Sequence, residues 1–303
     1  MTPDAANSTA SAARAPFALT PVQHAMACAA LRAPRSGVDV EQWAVTLSES
    51  VDAASLRLAW RTIVARYSAL RTAIDFADPA APRQFVVAAV EGEWIERDWS
   101  ALDTDERMRR WEALLDADRR RGFDLAEPPL WRVALVRTAP TEHRLLVTYH
   151  HVLLDGRSLV VLGRAWFAEY DRLIAGERRE VSDEGASDVD RRRAFVESAA
   201  RFDAGAACDF WRARLADFVP PPLPLDRSRT IDGAAKGGER RTAECAAVVA
   251  AATVDAGRRL AAEREVTLHT LVQAAWGLTL AACTGAEDHV FGSVRACRKG
   301  IVA

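Results

Sequence analysis

The stretch YHHVLLDGRS, residues 149–158, decides how this chain is read. It ends an apolar run, RLLVTYHH (144–151), on two adjacent histidines and follows them with Asp155 and Gly156. The whole chain has six histidines, so a side-by-side pair is a concentrated resource. Strand side chains alternate between faces. His150 and His151 therefore point opposite ways, and only one of them can enter a given cleft. This argues against a metal pair, and no H-x-x-x-H or H-E-x-x-H spacing occurs anywhere. Asp155 and Gly156 read as a tight turn, with glycine free to take positive φ and the aspartate able to accept backbone N–H groups or pair with an arginine. Taken alone, the stretch is a strand end with a satisfied histidine and an Asx-type turn.

Working outward, LWRVALVRT (130–138) and RLLVTYHH form two strong strands joined by APTEH. After Gly156 a helix begins, with Leu159, Leu162, Trp166, Tyr170 and Leu173 on one face, and ends near Gly176. Upstream, TPVQHAMACAALRA (20–33) reads as a helix with Thr20 as N-cap and Pro21 in its first turn. WAVTLSE alternates like a strand. DAASLRLAWRTIVARYSAL places Leu56, Trp60, Ile63, Val64 and Tyr67 on one helical face. LRTAIDF and RQFVVAA read as paired strands around ADPAAP, and a charged helix spans about 104–121. The polar stretch GERREVSDEGASDVDRRR reads as a domain boundary. Beyond it come a helix ending in FWRARLADF, a Pro-rich crossing, a strand near 241–250, helices near 254–264 and 267–282, and a strand in HVFGSVR.

Composition bounds the function. The 303 residues allow two domains, and half of them are apolar, enough for a sizeable core. Net charge is -2 with both signs interleaved, so nothing predicts binding to nucleic acid or to an anionic membrane. No apolar run approaches membrane-span length. The small, polar N-terminus lacks an apolar segment and reads as a disordered leader, not a secretory signal. Five scattered cysteines without C-x-x-C spacing fit a reducing, cytoplasmic setting. Ser158 lacks a G-x-S-x-G elbow and reads as a helix cap. There is no P-loop.

The pair is not isolated. H-H-x-x-x-D-G at a strand end, followed by Ser158 and a helix, resembles the active-site motif of nonribosomal peptide synthetase condensation domains, within the chloramphenicol-acetyltransferase-like superfamily. LTPVQHAM (19–26) is similar to the family's first motif, with Gln23 at its glutamine. ARYSALRTAI (65–74) resembles R-H-E-x-L-R-T-x-F and retains Arg66, Leu70, Arg71 and Thr72. FDLAEPPLWRVALVR, FWRARLADFVPPPLPLDRSR and TLHTLVQAAWGLTLAACTGAEDHVFGSVRACR follow in the family's order, so the resemblance spans roughly 17–300. Tyr67 and Ser68 replace the motif's His-Glu, and Arg157 stands where an aromatic usually follows the Asp-Gly.

The resemblance implies an α/β (α+β) fold of two lobes, each a mixed sheet with flanking helices. The expected division is a leader at 1–16, an N-terminal lobe at 17–176 carrying the motif, a linker at 177–190 and a partial C-terminal lobe at 191–303. It implies transfer of an acyl or peptidyl group from a carrier-protein phosphopantetheine thioester to an amine or hydroxyl. Donor and acceptor carrier proteins would be the partners, with no metal and no bound cofactor, and the chain would be a monomer or part of a larger synthetase. His151 is expected in the tunnel as the catalytic group and His150 as structural. Asp155 is expected to pair with Arg66, with Arg71 as fallback. Gly156 would let the backbone approach the substrate and offer an oxyanion-binding N–H. The alternatives are an acyl-CoA-dependent O- or N-acyltransferase of the same fold, and an inactive scaffold.

Overall fold

The computed structural model describes residues 14–33, 36–177, 184–201, 204–222 and 246–294. It separates by contacts into two units, one reaching Phe202 and one from Asp203 to Cys297.

In the first unit the element order is β1 (Arg14–Ala18), α1 (Pro21–Arg32), β2 (Val40–Leu47), α2 (Ala53–Arg66), a 3-10 turn (Ser68–Arg71), β3 (Thr72–Asp75), β4 (Arg83–Val86), β5 (Trp94–Asp98), α3 (Thr104–Arg121), β6 (Trp131–Ala139), β7 (Glu142–His150), α4 (Gly156–Ile174) and α5 (Glu184–Ala200). β2, β7, β6 and β5 make a four-stranded sheet, antiparallel except for the β5–β6 pair. β1, β4 and β3 make a second, antiparallel sheet of three strands. α3 carries its own stop and start signals: Asp103 caps it, Asp105 and Glu106 occupy its first turn, three arginines fill its last, and Gly122 turns the chain at φ 63°.

Period-two alternation sorts the four-stranded sheet into two faces. On one face the register aligns Trp43, Val147 and Val133. These pack with Leu56, Trp60 and Ile63 of α2 and Leu162, Trp166 and Tyr170 of α4. The indoles interlock there, with Trp60 4.5 Å from Trp166 and 5.0 Å from Trp131 between ring centroids. On the other face the register aligns Gln42, Thr148 and Arg132. α3 lies against these: Gln42 donates to the Leu115 carbonyl, and Arg132 donates to the Asp118 carboxylate and carbonyl.

Three expectations change. β1 begins at Arg14, so residues 14–16, expected in the leader, lie in a strand whose Arg14 pairs with Val86 of β4, while Phe17 is buried beside Val86. The expected linker 177–190 overlaps the start of α5, which buries Val189 and Val196 in the same cluster as Phe17. Apolar contacts on one face outweigh the charge that made this stretch read as a boundary. The expected strand in HVFGSVR has no regular structure over residues 289–294, because no neighbouring strand pairs with it among the described residues. Of the strand expected near 241–250, residues 241–245 lie outside the described residues, and 246–250 are irregular.

The second unit contributes α6 (Ala204–Arg214), α7 (Ala251–Glu263) and α8 (Leu268–Thr284). No single helix among the described residues is long and apolar enough to cross a membrane.

Candidate active site

β7 delivers the two histidines at its C-terminal end. His150 is its last residue, opposite Val40 of β2, and is 2% exposed. Its main-chain N–H donates to the Leu130 carbonyl, and its Nδ1 accepts from the Val152 N–H at 3.2 Å. With Nδ1 used as an acceptor, the ring proton sits on Nε2. Burial pushes the His150 imidazole down to about 4 from its usual 6.5; the Asp39 carboxylate opposes this and His151 adds to it. His150 is thus neutral at physiological pH and held in the body of the unit.

His151 follows outside the strand and is partly exposed. Its N–H donates to the Asp39 carbonyl at 2.7 Å. Asp39 adopts φ 57°, a left-handed conformation that turns its carbonyl toward the histidine. The His151 Nδ1 lies 2.6 Å from the Leu154 carbonyl oxygen. A carbonyl only accepts, so Nδ1 carries the proton and Nε2 presents a lone pair. The adjacent rings therefore hold opposite tautomers, each set by a different main-chain group.

Asp155 is the N-cap of α4: its carboxylate accepts from the Ser158 N–H at 2.8 Å and its carbonyl from Leu159. Ser158 lies in the first turn of this capped helix. Gly156 is the first residue of α4, with φ outside the left-handed region, so the turn does not itself require glycine as expected. A Cβ built on Gly156 would meet nothing within 4 Å. What the missing side chain provides is open access to the backbone at the start of a 19-residue helix, where N–H groups and the helix dipole favour negative charge. Arg157 beside it is exposed.

The second motif is held just as tightly. Arg66 is the last residue of α2. Arg71 is buried and donates to four carbonyls, those of Val64, Ala65, Val87 and Ala88. Burial lowers its pKa while Asp188 opposes the shift. It fastens the end of α2 to the segment after β4. Ser68, where the family motif has Glu, donates both its N–H and its hydroxyl to the Asp188 carboxylate of α5. A carboxylate is therefore present at this position, delivered from another element.

Gln23, which the sequence offers only as a motif match, has a defined task. It closes a capping box with Thr20 and donates from Nε2 to the Val152 carbonyl, at 3.0 Å, across 129 residues. Asp188, Arg192 and Gln84 do not stand out in the sequence. Arg192 donates to the Ser68 and Thr72 hydroxyls and to Gln84 Oε1. No local signal marks them; a polar residue in a charged helix looks solvated until its helix is docked.

Comparison with known proteins agrees with this architecture. The Condensation domain family matches residues 14–301. One of the linear gramicidin synthase proteins of Brevibacillus parabrevis is 32% identical over 282 residues, covering 91% of this chain and 4% of that protein. The chain thus spans a small fraction of the length of such relatives. The first condensation domain of the calcium-dependent antibiotic synthetase, solved with a substrate analogue, superposes with a TM-score of 0.68 at 21% identity, covering 92% of this chain and 63% of that one. A starter condensation domain of the rhizomide synthetase, solved with C8-CoA and Leu-SNAC, superposes with a TM-score of 0.57 at 21% identity, covering 69% and 47%. Condensation domains of nonribosomal peptide synthetases are acyl-transferring enzymes that form amide bonds between carrier-bound substrates, and their chloramphenicol-acetyltransferase-like fold is the one seen here. This chain belongs to the condensation domain family.

Proposed function

We propose that this chain joins an acyl or peptidyl thioester, carried on the phosphopantetheine of one carrier protein, to an amine on a second, with His151 taking the proton. The single observation that carries this reading is the 2.6 Å contact from His151 Nδ1 to the Leu154 carbonyl, which leaves Nε2 as the basic atom. The acceptor nitrogen attacks the thioester carbon, the C–S bond breaks, and the amine proton passes through Nε2 to the departing thiolate. A thioester is already activated, so holding the two arms together supplies most of the acceleration, about 7–11 kcal/mol. Proton transfer adds roughly 10²–10⁴-fold. The Gly156 N–H at the start of α4 is aimed at the oxyanion by this reading, and the Asp155 cap, paired with Arg66, keeps that helix start in place. No resident cofactor enters the scheme, and the setting is cytoplasmic.

A hydroxyl acceptor would give an ester by the same path. An acyl-CoA donor is the alternative that the test separates.

The test is acyl transfer followed by intact-protein mass spectrometry, with loaded carrier proteins and with acyl-CoA as separate donors. Wild type, His151→Ala and Gly156→Ala are compared in the 303-residue chain. A folded His151→Ala should lose at least about 100-fold. Gly156→Ala should fold normally and lose turnover. Full activity in His151→Ala, or no transfer from either donor by the folded wild type, overturns the proposal.

A further inference from the structure

We infer that Arg192 of α5 is a positioning residue for His151, acting through Gln84 and Gln23 on the loop that carries the histidine. The inference rests on His151 being the reacting group, but its central observable does not require turnover.

The connection is a directed chain of hydrogen bonds. Arg192 Nη2 donates to Gln84 Oε1 at 2.8 Å. Gln84 Nε2 donates to the Ala18 carbonyl at 2.8 Å and to Gln23 Oε1 at 3.4 Å. Gln23 Nε2 donates to the Val152 carbonyl at 3.0 Å. The Val152 N–H in turn holds His150 Nδ1, and the Leu154 carbonyl two residues on fixes the ring of His151. The orientation of both amides is forced from the ends. A guanidinium can only donate and a carbonyl can only accept, so each glutamine must present oxygen toward α5 and nitrogen toward the loop.

The Arg192 end is well anchored. Ser68, Thr72 and Gln84, which receive its bonds, are 0%, 1% and 1% exposed. Burial pushes the Arg192 guanidinium down to about 10, and Asp188, on the same helix, opposes that shift. α5 is also the last element of the first unit, after which the chain runs into the second. The seat of α5 is thereby tied to the geometry of the catalytic turn. A positioning error of about 1 Å at a reacting group is enough to cost about 100-fold.

One substitution separates positioning from simple stability. In Gln23→Glu the carboxylate still accepts from the Thr20 N–H, so the capping box survives, but the donor to the Val152 carbonyl is replaced by an acceptor. Gln84→Glu likewise keeps the Arg192 bond but removes the donor toward Gln23 Oε1 and the Ala18 carbonyl. The experiment is NMR of the imidazole nitrogens in the full chain labelled at histidine, with the His151 signals assigned by His151→Gln. Wild type should show His151 as the Nδ1–H tautomer. Gln23→Glu, Gln84→Glu and Arg192→Met should each convert it to a mixture, with Arg192→Lys partly restoring the wild-type signal. In the transfer assay kcat should fall about 10- to 100-fold at unchanged KM. Unchanged His151 signals in Gln23→Glu or Gln84→Glu, at an undiminished melting temperature, overturn the inference. So do unchanged signals in a folded Arg192 variant; if Arg192→Met does not fold, Arg192→Lys and Gln84→Glu decide. If the tautomer shifts as expected but His151→Ala keeps full turnover, the relay stands and the proposed role of His151 falls.

Discussion

α4 and α8 are of similar length and opposite fate. α4 carries five charged residues, yet it buries Leu162, Trp166 and Tyr170 against α2 and the sheet. α8 has no Asp, Glu, Lys or Arg, yet none of its residues is buried. Val272, Trp276 and Leu278 are 58%, 50% and 73% exposed. The difference teaches that apolar content does not make a core. A stripe needs one complementary surface, which α2 and the sheet supply to α4 and which nothing among the described residues supplies to α8. Burial belongs to pairs of surfaces and cannot be read from one element.

The contrast can be broken. Trp166→Ala removes an indole that is 0% exposed and bonded to the Leu56 carbonyl, and should lower stability by about 3–5 kcal/mol in urea titration. Trp276→Ala in α8 should change the same transition by about 0.5 kcal/mol or less. A comparable loss at both sites would show that α8 is covered in solution, and the contrast would fail.

A second effect belongs to the first unit alone. The folded His150 titrates near 4 and the unfolded one near 6.5, so the unfolded chain binds the extra proton between these values. Stability from this residue is therefore complete above about pH 6.5 and declines as pH falls toward 4, by about 3 kcal/mol in all. His150→Gln should flatten that part of the stability–pH curve; an unaltered slope would remove His150 as its source.

The smallest pair sharpens the comparison at single methyl groups. A Cβ on Gly163 of α4 would lie 2.7 Å from the Trp43 ring, whereas one on Gly277 of α8 meets nothing within 4 Å. Gly163→Ala should cost about 1–3 kcal/mol through overpacking. Gly277→Ala should gain up to about 1 kcal/mol in helix propensity. Thermal melts of both variants test this, and a gain at Gly163 would mean that Trp43 yields freely.

The same contrast marks what was legible in the sequence. α3 could be placed at 104–121 because its caps and charges are local, and the β6–β7 hairpin because two apolar runs flank a short polar turn. The face of α2 followed from Leu56, Trp60, Ile63 and Val64 at helical spacing. Alternation at the strand end says that the two histidines part; that His150 is the buried one is an expectation of the family resemblance, and the structure places it so. What could not be read depended on partners far away in the chain. The docking of α5 rests on Val189 and Val196 meeting Phe17 and on Arg192 meeting Gln84, across more than a hundred residues. Gly156 reads as a turn requirement, yet its φ is ordinary and only the empty space beside it sets it apart. HVFGSVR has the composition of a strand, but over 289–294 no neighbour pairs with it among the described residues.

The loop carrying His151 is tied by its main chain to Asp39, Leu130 and, through Gln23, to a helix 129 residues earlier. A ribosome must therefore release more than 150 residues before any of these ties can close, and each long closure is slow. The motif has no meaning as a graft: seven residues moved to another scaffold would keep the Val152 N–H and the Leu154 carbonyl that set its tautomers but lose the ties to Asp39, Leu130 and Gln23 that hold the loop. In the nascent chain, the geometry of this loop is among the last properties of the first unit to appear.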